Sequence, residues 1–562
     1  MASEQHTREY ANQLVEMVRQ GKMTRRQLLI RASVFGFSAT VASQLLAACG
    51  SSGGGGETTS ASPEASGGPE PVMGGTLKVI ISPSLTDIDP VTIYDQGGIT
   101  LISQFCEYLI NLRDDMTLEG RLAESWTPND TGDVWTFKLR QGIKFNDGSP
   151  FEAPDVVATM DRLVDPKSGS AAQAALLGIL SVGGTKAVDT YTVEFDLDKP
   201  FADFPYMVCT SSYNTVMLPR SYKGDWVKNP VGTGPWLLKE YVAKQKCTAT
   251  KKPDYWRKDE QGRQLPFMDE VDWIMIADEN ASTLQLQSGA ADVQAQTVFQ
   301  GAQPLWTDPN VRVDVYPSPG IRELQMNTLK EPFTDKRVRQ AVALSLDRNA
   351  INQALFDGKS IIGNDTFFQT PPYPNQPPTV ERVQDHAKAK ALLAEAGYPN
   401  GLDVTLTAED YLEVPQYAQL IQAQCKPAGI NVKIDPIAYE KWYAGSNDTT
   451  PWLNVPFGIT EWGPRPTPGV FVQAMLLPDS AWSSSHWNNQ EFATIFEQYM
   501  STTDEAARLD LATKLSTIQQ DDTPIIVAFY ITQLRAQKKT VHGIVGPGAF
   551  YCDVAGAFIA SA

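Results

Sequence analysis

The stretch "LDVTLTAEDYLEVPQYAQLIQAQCKPAGINVKIDPI", Leu402–Ile437, decides the fold class. Leu402, Val404 and Leu406 alternate on one face, the pattern of a half-buried strand. "PQYAQLIQAQCKPAG" has the apolar spacing of a helix and stops at Pro427 and Gly429. Ile430, Val432 and Ile434 alternate again. Strand, helix and strand at these lengths form a βαβ unit, which implies parallel pairing and a right-handed crossover. In such sheets ligands bind beyond the carboxyl ends of the strands. The expected class is therefore α/β, with a site at a strand edge.

The surrounding chain repeats the theme. Just upstream, "QDHAKAKALLAEAGYPNG" reads as a helix with Asp385 as N-cap and Gly397 at its end. "GGTLKVIIS" reads as the first strand of the body. "VDWIMIAD" is a strand leading into the helix "NASTLQLQSGAADV", closed at Gly289. "LISQFCEYLINLRDD" reads as one apolar helix running to a turn. "DVWTFKLRQGIKFNDGSPF" reads as a strand pair: Trp135, Phe137 and Leu139 alternate, and Asn146-Asp147-Gly148 makes a turn. "APDVVATMDRLVD" starts a helix at Pro154 with Asp155 in its first turn. Gly232-Thr233-Gly234-Pro235 lacks the lysine and helix of a phosphate loop and reads as a turn.

The amino terminus carries a different signal. Thr24-Arg25-Arg26-Gln27-Leu28-Leu29 precedes a weakly apolar run, Ala32 to Ala48, and resembles a twin-arginine export signal. Leu46-Ala47-Ala48-Cys49 resembles a bacterial lipobox, which implies cleavage before Cys49 and lipidation of its sulfur. Gly50 to Gly75 holds little to bury and reads as a flexible tether. Later in the chain no run of about 18 apolar residues occurs, so no membrane span is expected. The expected location is extracytoplasmic, held to a bacterial membrane by a lipid anchor.

The chain has 562 residues and a formal charge of −18; its first 48 residues hold six Lys/Arg against three Asp/Glu, so the remainder carries −21. An acidic body excludes nucleic acid as the expected partner, since that needs basic patches. The length after Cys49 demands at least two lobes. Cys106, Cys209, Cys247, Cys425 and Cys552 show no C-x-x-C and read as buried free thiols. His386, His486 and His542 are far apart and show no zinc spacing, so no metal is expected. The only G-x-S-x-G match, Gly50–Gly54, lies in the tether, where it is no strained nucleophile elbow. Asp521 and Asp522 are the pair a glycosidase reading would nominate, but adjacent residues do not face one cleft at the roughly 5 Å or more that chemistry needs.

Several stretches, in this order, carry a family likeness: "GRLAESWTPN" (Gly120–Asn129), "WTFKLRQGIKFNDGSPFEAPDVVATMDRL" (Trp135–Leu163), "NPVGTGPWLLKEY" (Asn229–Tyr241), "LQLQSGAADV" (Leu284–Val293) and "MNTLKEPFTDKRVRQAVALSLDRNAI" (Met326–Ile351). From about Gly74 onward the chain resembles the bacterial extracellular solute-binding proteins of family 5, the peptide- and oligopeptide-binding receptors of ABC importers. The resemblance implies a large, cluster C type, two-lobe periplasmic-binding-protein fold with an extra subdomain in the first lobe. Its boundaries are expected at 1–48 for the signal, 49–73 for the lipidated linker, 74–322 plus 532–562 for lobe I with the subdomain at about 108–215, and 323–531 for lobe II. It implies a monomer that partners a small solute, an ABC permease and its ATPase, with no cofactor and no catalytic residue.

In dipeptide binders of that family an aspartate in a W-x-G-D-x-x-D-P-like stretch pairs with the ligand's amine. The matching stretch is "ITEWGPRPTPGVF", Ile459–Phe471, where Pro464 stands at the aspartate's position and Arg465 follows. Proline offers no donor and no charge, whereas arginine favours carboxylate or phosphate through its planar fork. The ligand-binding residues expected are Trp462, Arg465 and Glu461, with Tyr108, Gln325, Asn327, Tyr213, Phe368, Trp482 and Trp487 around them. The ligand expected is a peptide or a peptide-like, opine-like solute. An oligosaccharide or a metal chelate is the alternative within the family, and an extracytoplasmic hydrolase the alternative outside it.

Overall fold

The computed structural model describes residues 69–84, 88–377, 380–546 and 552–560. The leader, Cys49 and the tether to residue 68 lie outside the described residues.

Leu402–Glu409 and Ile430–Ile437 pair in parallel, in unbroken register from Leu402↔Ile430 to Glu409↔Ile437. Between them runs the helix Val414–Cys425, with Pro415 in its first turn and Val414, Tyr417, Ala418, Ile421 and Cys425 buried against the sheet. Gly429, at φ +89°, provides the left-handed stop that lets the chain enter the second strand. These strands form one edge of a six-stranded sheet, ordered Ile361–Ile362, Ile525–Tyr530, Ile321–Met326, Phe457–Trp462, Leu402–Glu409, Ile430–Ile437.

A seven-stranded sheet is ordered Val311–Tyr316, Gln533–Lys538, Val293–Thr297, Thr76–Ile81, Glu270–Met275, Lys246–Lys251, Trp236–Val242. The first and second pairs of parallel neighbours are Thr76–Ile81 with Glu270–Met275 and with Val293–Thr297. The chain leaves this sheet after Tyr316 and enters the other at Ile321; it returns between Tyr530 and Gln533. Strand direction then places the carboxyl ends Ile81, Met275, Thr297 and Tyr316 of one sheet, and Glu409, Ile437, Trp462 and Tyr530 of the other, toward these two crossovers. Both sheets thus offer the carboxyl ends of their parallel strands to a common seam, the place where such sheets usually bind ligands.

A four-stranded antiparallel sheet, Ala123–Pro128, Val134–Leu139, Thr192–Asp196, Thr185–Asp189, lies in the chain between the first and second strands of the seven-stranded sheet and is packed by the helix Ala153–Val164. It reaches the second lobe: the Ala202 N–H donates to the Met500 carbonyl at 2.7 Å, and Arg508 pairs with Asp203.

Two local expectations are corrected. The apolar stretch from Leu101 is not one helix: the helix is Gln96–Phe105, capped by Asp95, and Ile110–Leu112 is a strand paired with Leu118–Gly120. The cause is packing. Gly232 and Gly234 press against the helix end so closely that a Cβ at Gly232 would stand 2.1 Å from the Phe105 carbonyl, and the chain turns away there. Nor does Val134–Leu139 pair with the Ile143–Phe145 stretch. It pairs with Ala123–Pro128 and Thr192–Asp196. The Asn146-Asp147-Gly148 turn closes on itself, with Phe145 N–H donating to the Ser149 carbonyl at 2.9 Å, and Asn146 is tied to Pro230 and Gly232.

Candidate functional site

At the crossovers lies a small, partly open cavity. Leu112, Arg113, Asp114, Met116 and Ser211 form one side, Tyr316–Pro319 and Gln533 the hinge side, and Pro464, Arg465 and Pro466 the other. The loop carrying Arg465 follows the strand Phe457–Trp462 and precedes the helix Pro468–Met475. Prolines on both flanks restrict its backbone, so less freedom is lost when a ligand engages it.

The Arg465 guanidinium lies 5.7 Å from the Trp462 ring centroid and 6.0 Å from that of Phe471. Its hydrogen bonds are two long ones, 3.3 Å each, to the carbonyls of Gly463 and Pro464. Among the described residues no carboxylate is paired with it. Burial holds its pKa below the usual arginine range, with Tyr373 and Tyr213 nearby favouring the charged form. The Tyr373 hydroxyl donates to the Arg465 carbonyl at 3.0 Å and steadies the loop. A half-buried cation on an aromatic shelf, with unused donors, is suited to a planar anionic group.

The strand ends at this same sheet edge carry acids. Arg322, buried, pairs with Glu413 at 2.8 Å and lies 3.7 Å from Glu461. Glu409 is fully buried, and its Oε1 accepts the Glu461 N–H at 3.1 Å. Burial, then the charge of Glu461, pushes Glu409 up to about 7. Burial also raises Glu461, against the pull of Arg322. An aromatic row runs from here to the arginine: Tyr411–Tyr439 at 4.7 Å between centroids, Tyr439–Tyr443 at 5.2 Å, Tyr443–Trp452 at 5.8 Å, Trp452–Trp462 at 6.0 Å and Trp462–Trp482 at 6.0 Å. Glu323 fixes the row's centre: it accepts from the Trp462 indole N–H at 2.7 Å and from the Ser484 hydroxyl at 2.5 Å, and burial pushes it up to about 7.

The facing edge of the seven-stranded sheet is different. A cavity there is lined by Ser82, Gln96, Thr100, Glu279, Ser282, Gln294 and Gln296 among others. Its one acid, Glu279, accepts from Gln294, Thr297 and the Val298 N–H. Apart from Glu279, this wall offers amides and hydroxyls.

Of the residues expected from sequence, Trp462, Arg465 and Glu461 stand together at this edge. Tyr213 lies close enough to Arg465 for the cation to act on its hydroxyl, and Trp482, 42% exposed, extends the row. Tyr108 is buried one layer behind, its hydroxyl donating to the Tyr213 carbonyl at 3.1 Å. Of the expected residues only Arg465 lines the cavity itself, and four are engaged elsewhere. Gln325 is inside the sheet, bonded to the Trp452 carbonyl and the Thr460 hydroxyl at 2.7 Å each. Asn327 caps a turn through the Leu329 N–H. Phe368 packs edge-on against Tyr499, and the Trp487 indole donates to Asp522 at 3.0 Å. Asp521 pairs with Lys336 and His486 meets the Leu453 carbonyl at 2.9 Å, so neither faces the cavity as a catalytic group would. The five cysteines beyond residue 68 are free and buried.

Sequence reading missed Arg322, Glu409, Glu413, Tyr411, Tyr439, Tyr443 and Trp452. A signal existed for some: Glu409 and Ile437 end the paired parallel strands, and Tyr411 and Tyr439 each lie two residues beyond.

Comparison with known proteins gives three findings. The profile of bacterial extracellular solute-binding proteins, family 5 Middle, matches residues 117–484. The chain is 27% identical over 487 residues to the glutathione-binding protein GsiB of Shigella dysenteriae serotype 1, spanning 83% of this chain and 91% of that one, and equally similar to GsiB of Escherichia coli strain K12. Among solved structures it resembles HbpA2 of Haemophilus parasuis, with TM-score 0.74 and 22% identity over 87% of this chain and 100% of that one. It also resembles the protein AgaA of A. tumefacien R10 in complex with agropinic acid, with TM-score 0.64 and 25% identity over 87% and 99%.

Proposed function

The chain belongs to the bacterial extracellular solute-binding proteins of family 5, a family of two-lobed binding proteins, and from that premise we propose that it captures an anionic, peptide-like or opine-like solute between its lobes for an ABC importer. The observation that carries this reading is Arg465: a cavity-lining guanidinium with two weak backbone contacts and no acid partner among the described residues. A carboxylate in the cavity supplies the missing charge and two acceptors. Glutathione, named for the GsiB relative, and agropinic acid, bound by AgaA, are both acids of modest size, consistent with this chemistry.

The mechanism proposed is physical. Lobe I, residues 74–322 plus 532–562 with the subdomain at about 108–215, and lobe II, residues 323–531, close about the crossovers at 317–320 and 531–532. Ligand held by Arg465 on lobe II meets the side chains of lobe I across the seam, and the closed population rises by the differential contact energy. Trp462, Glu461, Tyr213 and Trp482 complete the proposed contacts. Cys49 is the proposed lipid anchor, which would keep the receptor at the membrane beside its permease. Among the described residues no helix is long and apolar enough to cross a membrane.

The test is isothermal titration of the purified protein with glutathione, acidic di- and tripeptides and opines, then with their amidated forms. Binding of the acids, lost on amidation and on Arg465→Gln, is the expected result. Equal binding of acid and amide would overturn the reading.

A further inference from the structure

We infer that the acid-rich strand end beside Arg465 is a second subsite, for an organic cation, so that the solute carries a positive group as well as the acid; this rests on the reading of Arg465 above.

Three carboxylates, Glu409, Glu413 and Glu461, share one arginine. Arg322 is committed to Glu413 at 2.8 Å and is 3.7 Å from Glu461. Glu409 is fully buried, yet its Oε2 has no hydrogen-bond partner among the described residues. Its Oε1 has only the Glu461 N–H and a long contact, 3.5 Å, from the Tyr443 hydroxyl. A buried carboxylate oxygen without a donor costs free energy that a bound cation would restore. Burial raises both Glu409 and Glu461, with the charge of Glu461 adding to the effect on Glu409 and that of Glu413 to the effect on Glu461, against the pull of the one arginine they share, Arg322.

The surroundings identify the kind of cation. Tyr411, Tyr439 and Tyr443 form a chain of rings at 4.7 and 5.2 Å, and all three feel the charge of Glu461. Ring faces attract ammonium and guanidinium groups and dehydrate them easily, which a small inorganic cation resists. No group of His, Cys, Asp or Glu among the described residues has the arrangement of a metal site. Access is open: Tyr439 is 39% exposed and the Glu461 side chain 27% exposed. Position agrees as well. Glu409 ends one strand and Glu461 is the last residue but one of its parallel neighbour, at the edge facing the crossovers, and Glu461 precedes Arg465 in the chain by Trp462, Gly463 and Pro464. A solute lying along the aromatic row would meet the carboxylates with its cationic end and the guanidinium with its acidic end. This accounts for the loss of an aspartate at position 464: the positive end is received by the strand ends instead of the loop.

The test crosses two probes with two variants of the full chain. Tetramethylammonium chloride, matched against sodium chloride at equal ionic strength, reports on the cation subsite through thermal shift and intrinsic fluorescence. Glutarate reports on Arg465. Tetramethylammonium is expected to give a saturable response in the wild type and in Arg465→Gln, weakened at least tenfold in Glu461→Gln and in Tyr439→Ala. Glutarate is expected to show the reverse, lost in Arg465→Gln and retained in Tyr439→Ala. No saturable response to tetramethylammonium in the wild type, or one unchanged in both cation-site variants, overturns the inference. Glutarate binding unchanged in Arg465→Gln overturns the reading of the arginine instead. Tyr439→Ala removes a half-exposed ring, so it keeps the test valid if Glu461→Gln fails to fold.

Discussion

Two groups of arginine and carboxylate in the second lobe use the same residue types to opposite ends. In one, Asp365 is completely buried, held by Arg348 through two bonds of 2.7 and 2.8 Å, by Arg382 at 3.1 Å and by the Val527 N–H at 3.2 Å. Every acceptor is used, and positive charge exceeds negative. In the other, Arg322 faces Glu409, Glu413 and Glu461, and Arg465 stands near with no acid. The first group joins the helix Arg348–Phe356 to the strand Ile525–Tyr530 and closes on itself. The second leaves both an acceptor and a cation unanswered at an open edge. Saturated charges hold a fold together; unsaturated ones at a cleft are available to a ligand.

The largest expected effect comes from breaking the saturated group. Asp365→Asn leaves the buried Arg348 and the half-buried Arg382 without their acid and should cost ~3–5 kcal/mol of stability, read by denaturant unfolding. A loss under ~1 kcal/mol would erase the distinction between the groups.

Glu323 tests a third arrangement, a buried carboxyl with hydrogen bonds but no cation. Its folded pKa, about 7, is above the unfolded value, so the folded state holds a proton that the unfolded state gives up from about pH 4.5. Its contribution therefore falls as pH rises through that window and is lowest above pH 7. Glu323→Gln should remove this slope and gain up to ~3 kcal/mol relative to wild type at pH 8. Parallel stability curves for the two proteins would show that Glu323 does not titrate there.

Arg465→Gln should weaken binding of an acidic solute about 10- to 100-fold, equivalent to ~1.5–3 kcal/mol for a hydrogen bond to a charged group, while leaving the unfolding midpoint nearly unmoved. A large drop in melting temperature would place Arg465 with the structural group. The smallest effect is expected for Glu461→Gln without ligand. Arg322 keeps Glu413, and the side chain is part-exposed, so stability should change by less than ~1 kcal/mol. A larger loss would make the acid cluster structural.

Much of this was legible in the chain. Period-two and period-3.6 patterns located the βαβ unit, because burying one face of a strand or helix writes itself into every second or every third and fourth residue. Asp385, with its side chain accepting from the Lys388 N–H, and Pro154 in the first turn of Ala153–Val164 were visible for the same local reason. Arg465 was also legible, since it replaces a charge pattern within one short loop. Where local reading failed, distant contact decided. Helix Gln96–Phe105 ends because Gly232 and Gly234 pack on it from more than 120 residues away, and Val134–Leu139 finds partners that no hairpin pattern announces.

The sequence by itself determined the elements, the acidic body and the proline that stands where an acid was expected, with an arginine beside it. Only the tertiary structure decided which charges are answered. Arg348 and Asp365 are 17 residues apart and meet; Glu409 and Glu461 are 52 apart and meet with Glu413 around a single arginine, Arg322; Arg465 meets no acid among the described residues. Charge balance is a property of neighbours in space, and parallel strands joined through a helix bring together residues that no sequence window contains.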